Sequence, residues 1–380
     1  MQMLDIDKLK ANIEATSRSD IESGRVGGIA VAVMQNGETI YQNCFSDDRL
    51  GINVSENTLF RLASMTKPVT TVTVLKLAEQ GKITLDDPVY QYIPEYEHMN
   101  IGRMNGGKVE IVSQAKRHIT IRHILTHTSG LGSGSVGAWV TKQLPTSQRK
   151  SLEFNAHYYA QNPLDFEPAS QQAYSGSHAF DVLARVAEIA SGMHFGELVK
   201  KEICNPMEMN DTVFAPSEEQ WKRMVPMHDY KDGVGFITEY AKNSVFAGVP
   251  VSCCSGGTAL ASTLNDYKKF ADMLLNYGRM GDKQIVGENM IREMIRPQLA
   301  ENHLDGLENW GLGVRVITND QRNVLPCGTF GWSGALGGHF WVDPQNRIVA
   351  IYLKNSEYDG GARSRTGKQF ERDVYSALSN

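Results

Sequence analysis

The sequence predicts an α/β fold of the α+β kind: one antiparallel sheet built from N- and C-terminal segments, flanked by helices, with a mostly helical subdomain inserted between them. Three observations predict it. Strand-like runs rich in β-branched residues lie near both ends of the chain, the clearest periodic segments between about 90 and 250 are helical, and an amphipathic helix closes each terminus. The expected organisation is a sheet domain from 1–85 and 250–380, a helical insert from 86–249, and a site between them.

The elements follow in order. Residues 5 to 17 read as an amphipathic helix, and "GGIAVAVMQNGETIYQNCF" from Gly27 reads as two strands joined at Asn36-Gly37, a strong hairpin signal. Ser64 to Gln80 reads as a helix stopped by Gly81. "ITIRHILTHTSGL", "SHAFDVLARVAEIASG" and "FGELVKKEIC" carry the helical pattern of the insert, which offers few convincing strands. After "DYKKFADMLLNYG" the strand pattern returns in "GLGVRVITN" and "HFWVDPQNRIVAIYLKN", and Thr366 to Leu378 closes the chain as a helix.

At 380 residues, with 41% hydrophobic and 21% charged residues, the chain has the composition of a globular protein. A net charge of −5 supplies no basic surface for nucleic acid. No stretch approaches the roughly 18 apolar residues of a membrane span, and the charged N-terminus lacks a leader's apolar core. The expectation for the sequence as it stands is a cytoplasmic protein with no nucleic-acid or membrane partner and an unspecified oligomeric state. The five cysteines, Cys44, Cys204, Cys253, Cys254 and Cys327, show no CxxC spacing and are expected as free thiols.

Some motifs mislead. "GSGSVG" at 132–137 matches GxGxxG but follows a helix-like segment instead of a strand, so it reads as a flexible loop. His123 and His127 have zinc-ligand spacing without the glutamate of HExxH, and read as packing or loop-bracing residues. No GxSxG elbow occurs. No cofactor or metal is expected.

"FRLASMTKPVTTV" raises the chemical question. Ser-x-x-Lys spacing alone is weak, since Ser113 with Lys116 and Ser147 with Lys150 repeat it in polar stretches. Ser64 differs by its apolar approach and the long apolar helix that follows. On a helix, positions i and i+3 share a face, which puts Lys67 within reach of the Ser64 hydroxyl. Burial there disfavours the ammonium, so the amine is expected to take the serine proton. Pro68 suits the first turn of a helix.

Ser64-Met65-Thr66-Lys67 resembles the first motif of the serine β-lactamase and penicillin-binding-protein-like hydrolases. "AYSGSHAFDVLARVAEIASG" resembles that superfamily's tyrosine motif, and "GTFGWSGALGGHFWVDP" its third motif; "ITIRHILTHTSGL", "GGTALASTLNDYKKFADMLLNYG" and "WGLGVRV" resemble further landmarks. The likeness spans nearly the whole chain and is nearest to the family VIII carboxylesterases, which have a class C β-lactamase-like fold and a W-x-G third motif. The resemblance implies Ser64 as the acylated nucleophile, Lys67 as its base and Tyr174 as the second acid/base. It implies the backbone N–H groups of Ser64 and Ala335 as the oxyanion hole, and Gly176, Trp332, Ser333 and Gly334 along the substrate.

Two departures bear on the substrate. Gly176 stands where β-lactamases of this type carry an asparagine, and Trp332 where they carry a lysine. Both changes remove polar handles for an anionic β-lactam, while the indole adds apolar area. The expected function is hydrolysis of small esters through an acyl-enzyme. A β-lactamase, a D-amino-acid peptidase or amidase, an acyltransferase, and a non-turnover acylable sensor remain the other readings.

Overall fold

The computed structural model describes residues 2–144, 148–239, 245–246, 249–300, 308–319, 324–361 and 364–379. Its largest sheet is antiparallel with seven strands: β1 (Gly28–Gln35), β2 (Glu38–Ser46), β3 (Glu308–Trp310), β4 (Arg315–Ile317), β5 (Phe330–Ser333), β6 (His339–Asp343) and β7 (Ile348–Leu353). The spatial order is β3-β4-β5-β6-β7-β1-β2. The N-terminal hairpin is therefore joined to the last strand, with Ala30 opposite Leu353 and Gln35 opposite Ile348.

All eight residues of β1 are buried, because both faces of the sheet are covered. Alternation assigns them: Ala30, Ala32 and Met34 belong to one core, and Ile29, Val31 and Val33 to the other. The first core contains helix α2 (Thr66–Glu79), α3 (His178–Ser191) and α4 (Leu264–Leu275); the second is closed by α1 (Ile6–Glu22) and α5 (Arg365–Tyr375).

Away from the site, the structure departs from the sequence expectation at α1, between 86 and 249, and at 132–137. Helix α1 runs on to Glu22, past the expected end at 17, because Asp20 and Ile21 are buried and Arg365 of α5 donates to Asp20 Oδ1 at 2.6 Å. The 86–249 segment, expected to be mostly helical, contains antiparallel ribbons, the longer ones being Asn100–Asn105 with Lys108–Gln114 and Met227–Lys231 with Val234–Glu239. Each turns on a glycine-containing pair of hairpin type, Gly106-Gly107 or Asp232-Gly233, but only three of the strands' 24 residues are buried, so they lack the apolar alternation that marks a half-buried strand. "GSGSVG" is the start of a helix, Ser135–Gln143, and not a free loop: the Asp165 carboxylate accepts from the N–H groups of Ser133, Val136 and Gly137. That carboxylate occupies the helix N-terminus where a phosphate would sit in a dinucleotide fold.

No disulfide joins any of the five cysteines among the described residues. No helix of the described residues is long and apolar enough to cross a membrane.

Candidate active site

Ser64 lies in a 3-10 turn, Ala63–Met65, immediately before α2. The α-helix thus begins two residues later than expected. Ala63 carries φ +46°, a left-handed conformation that is costly outside glycine and turns the chain sharply into Ser64. Pro68 is the third residue of α2, where no intrahelical N–H bond is lost.

Lys67 is fully buried. Its Nζ lies 3.3 Å from Ser64 Oγ, and donates to Gly176 O at 2.6 Å and Gly257 O at 3.0 Å. With two of the Lys67 N–H groups given to carbonyls, the remaining position on Nζ faces the serine hydroxyl. Tyr174 Oη donates to the same Ser64 Oγ at 2.7 Å. The structure therefore brings Ser64, Lys67, Tyr174 and the Gly176 backbone together from segments more than 100 residues apart in sequence.

The end of β5 lies against this turn. A Cβ on Gly334 would come within 2.4 Å of Leu62 O, so only glycine lets the strand approach the turn that carries Ser64. Ala335 follows, exposed, and its N–H donates to no backbone carbonyl among the described residues. A Cβ on Gly176 would meet nothing within 4 Å, which leaves open space beside Tyr174.

Ser333 does not reach the site with its side chain. Its hydroxyl bonds His339 Nδ1 at 2.7 Å, and His339 Nε2 meets Glu371 Oε1 of α5 at 3.0 Å. Strand alternation sends Trp332 toward the first core and Ser333 toward the face under α5. The period of two along "FGWS" carried that signal.

Trp332 and Tyr174 have ring centroids 5.4 Å apart, and Trp310 of β3 completes an aromatic wall, 4.6 Å from Trp332 and stacked on Tyr174 at 6.1 Å. Trp310 had no assigned role from the sequence, although it opens "WGLGVRV". His127 packs against Tyr174 and Trp310 at 4.7 and 4.5 Å, and its Nδ1 accepts from Ser175 N. It braces the tyrosine segment, and burial together with the Lys67 charge pushes its imidazole well below the usual range. His123 Nδ1 accepts from Thr120 N in a helix capping box.

Asp181 on α3 backs the lysine from behind. It is buried and accepts from Ser255 Oγ. Burial raises its carboxyl to about 6 against the opposing effects of Ser255, Lys67 and the Gly257 N–H. Of the other Ser-x-x-Lys pairs, Ser113 and Lys116 are exposed, and Ser147 lies outside the described residues. Arg365 is turned to Asp20 on α1, and Arg363 lies outside the described residues.

A serine hydroxyl engaged by a lysine amine and a tyrosine hydroxyl at the start of a buried helix defines a serine hydrolase of the acyl-enzyme type. The chain belongs to the Beta-lactamase family, whose pattern it matches over residues 10–372. It is 29% identical to Esterase EstB of Burkholderia gladioli over 385 aligned positions, covering 94% of this chain and 93% of that one. Among solved structures, EstCE1, described as a hydrolase with promiscuous acyltransferase activity, superposes with TM-score 0.80 at 22% identity, covering 97% of this chain and 99% of that one. Simvastatin synthase LovD of Aspergillus terreus does so with TM-score 0.80 at 20% identity, covering 97% and 98%. These two likenesses concern the fold.

Proposed function

We propose that this serine hydrolase cleaves small, uncharged esters through an acyl-enzyme on Ser64. The observation that carries the reading is the trio at Ser64 Oγ, with Tyr174 Oη at 2.7 Å and Lys67 Nζ at 3.3 Å. Lys67 takes the hydroxyl proton as Ser64 Oγ bonds to the ester carbonyl carbon, and the carbonyl oxygen takes the negative charge. The N–H groups of Ser64 and Ala335 receive that oxyanion. Tyr174 passes a proton to the departing alkoxide, leaving the acyl-enzyme and an alcohol. Water then enters, gives a proton to the same relay, attacks the acyl carbon and releases the acid while Ser64 regains its proton. The site lies between the 1–85/250–380 sheet region and the 86–249 insert, which contributes Tyr174.

The aromatic wall of Trp310 and Trp332 and the side-chain-free Gly176 support an apolar, weakly charged substrate over an anionic β-lactam. The ester-cleaving name of EstB supports the same choice. Side-by-side turnover of p-nitrophenyl butyrate, a D-alanyl amide and nitrocefin tests it. Butyrate is expected to be fastest, and nitrocefin fastest would overturn the argument from Gly176 and Trp332. Acyl transfer to an added alcohol is the second reading, favoured by the apolar wall that could hold an acceptor; ester product formed from butyrate in the presence of butanol measures it. Labelling of the Ser64 peptide by a fluorophosphonate, with ordinary ester released as acid, separates turnover from a sensor.

A further inference from the structure

Lys354, the residue after β7, is buried with a fully covered side chain, and the trio at Ser64 does not use it. Its methylene stem lies across Gly337: a Cβ there would fall 1.9 Å from Lys354 Cε, and Gly337 takes φ +91°. Its Nζ donates to Tyr358 O at 3.2 Å and Asp359 O at 3.1 Å, with Asp359 Oδ2 at 3.8 Å.

These carbonyls belong to a loop, 356–361, that presses on the turn carrying Ala335. Ser356 N donates to Leu336 O and Gly361 N to Gly334 O, both at 3.0 Å. A Cβ on Gly360 would lie 1.7 Å from Ala335 O, so the two backbones touch. The turn itself closes through Gly334 N to Gly338 O at 2.7 Å and Gly337 N to Gly334 O at 2.9 Å. On its other side, Gly334 rests on Leu62 of the nucleophile turn. The peptide bearing the Ala335 N–H is thus gripped between the nucleophile turn and a loop that Lys354 ties at Tyr358 and Asp359, while His228 holds its start and the N–H groups of Arg365 and Thr366 hold the Asp359 carboxylate.

A methionine would fill the same space without burying an amine, whose desolvation is costly. What the amine adds is direction: two carbonyls of successive residues drawn to one point. We propose that Lys354 is a positioning residue for the oxyanion hole, holding the 356–361 loop against the Ala335 turn so that the Ala335 N–H stays aimed at the developing charge. It touches neither substrate nor Ser64. The inference rests on the esterase reading.

The test compares wild type with Lys354→Met by kcat and KM for p-nitrophenyl butyrate, by melting temperature, and by the Ki of an alkyl boronic acid. The boronate adds to Ser64 Oγ and places a boron-bound oxygen where the oxyanion forms, so it reports the hole without turnover. Lys354→Met is expected to lower kcat by about 10- to 100-fold with KM little changed, and to raise the boronate Ki by a similar factor. Gly360→Ala, which pushes the Ala335 turn directly with Lys354 intact, is expected to show the same paired change and keeps the test open if Lys354→Met fails to fold. Wild-type kcat and Ki in both variants, whatever their melting temperatures, would overturn the inference. So would a fall in kcat with no change in Ki. A wild-type protein that neither turned over the ester nor bound the boronate would instead overturn the esterase reading itself.

Discussion

Ser64 and Ser333 each stand in a three-residue polar chain, on opposite faces of one sheet. Ser333, His339 and Glu371 have the residue types and the spacings, 2.7 and 3.0 Å, of a serine–histidine–acid triad. Ser64 has only a lysine and a tyrosine. The difference lies in what surrounds them: His339 and Glu371 are 2% and 1% exposed, sealed between the sheet and α5, whereas Tyr174 is 36% exposed and Ala335 is exposed too. Residue types at triad distances do not make a catalytic site; a path for substrate and a place for its oxyanion do.

The two faces also differ in charge energetics. Burial would raise the Glu371 carboxyl, but the hydrogen bond from His339 and the charges around it on His339, Arg315 and Lys368 hold it at about 2. Asp181, behind Lys67, is moved the other way, to about 6. The sealed face thus uses its buried carboxylate to stabilise the fold, while the active face carries one at a cost, as is common where function sets the arrangement.

The largest expected effect separates the two serines directly. Ser64→Ala is expected to lower p-nitrophenyl butyrate turnover by about 10⁴-fold or more, since loss of the nucleophile removes the covalent route. Ser333→Ala loses a buried hydrogen bond, about 1 kcal/mol of stability, and is expected to keep its turnover within about threefold. Comparable losses in the two variants would erase the distinction. Tyr174→Phe comes next, with kcat down by about 10²- to 10³-fold from the missing proton relay. Its ring keeps the packing on Trp310 and His127, so an unchanged melting curve with unchanged kcat would remove Tyr174 from the chemistry.

The sheet was legible because β1 and β7 carry β-branched runs, β2 and β6 carry aromatic with β-branched residues, and an Asn-Gly turn joins β1 to β2. Ser64, Lys67 and Tyr174 were legible because their motifs are local. What escaped is non-local. Ser333 meets His339 through the pairing of β5 with β6, and Glu371 arrives from a helix packed across that face, so no spacing in the sequence announces them. Lys354 and Trp310 likewise gain their partners only when the sheet closes. The ribbon at 100–114 was hidden for the opposite reason: Ile111 and Val112 are exposed, 57% and 56%, and follow no buried alternation.

The sealed face sharpens the comparison through Glu371→Gln. The folded carboxyl, at about 2, lies below its ordinary value of 4.5, so its contribution is present above pH 4.5 and is lost as pH falls through about 2. The variant is expected to lose roughly 3 kcal/mol of unfolding free energy at pH 7, with the gap to wild type closing on acidification. At 25 °C its kcat is expected to stay within about twofold of wild type, because the cluster holds the fold and touches no reacting atom. Urea unfolding at several pH values reads the first, and steady-state kinetics reads the second.

Asp181→Asn is the smallest effect and the most discriminating, because the sign reverses. The folded Asp181 carboxyl, at about 6, lies above its ordinary 3.8, so its protonated form is the one the fold prefers. Its contribution to stability is fully present below pH 3.8 and is lost as pH rises through about 6, a change of about 3 kcal/mol. An asparagine keeps the oxygen that accepts from Ser255 and carries no charge, but its amide nitrogen replaces Asp181 Oδ2, which is buried without a partner, and inherits that deficit. The net gain at pH 7 is therefore expected nearer 1 kcal/mol, turning into a loss of about 2 kcal/mol once acid has removed the charge penalty from the wild type, read again by urea unfolding. Activity should move the opposite way. The field of Asp181 favours a cation at Lys67 and so assists proton uptake from Ser64, and its neutral replacement is expected to lower kcat several-fold, with KM held. A variant less stable than wild type at pH 7 would show that Asp181 serves the fold as Glu371 does, and the two faces would no longer differ in kind.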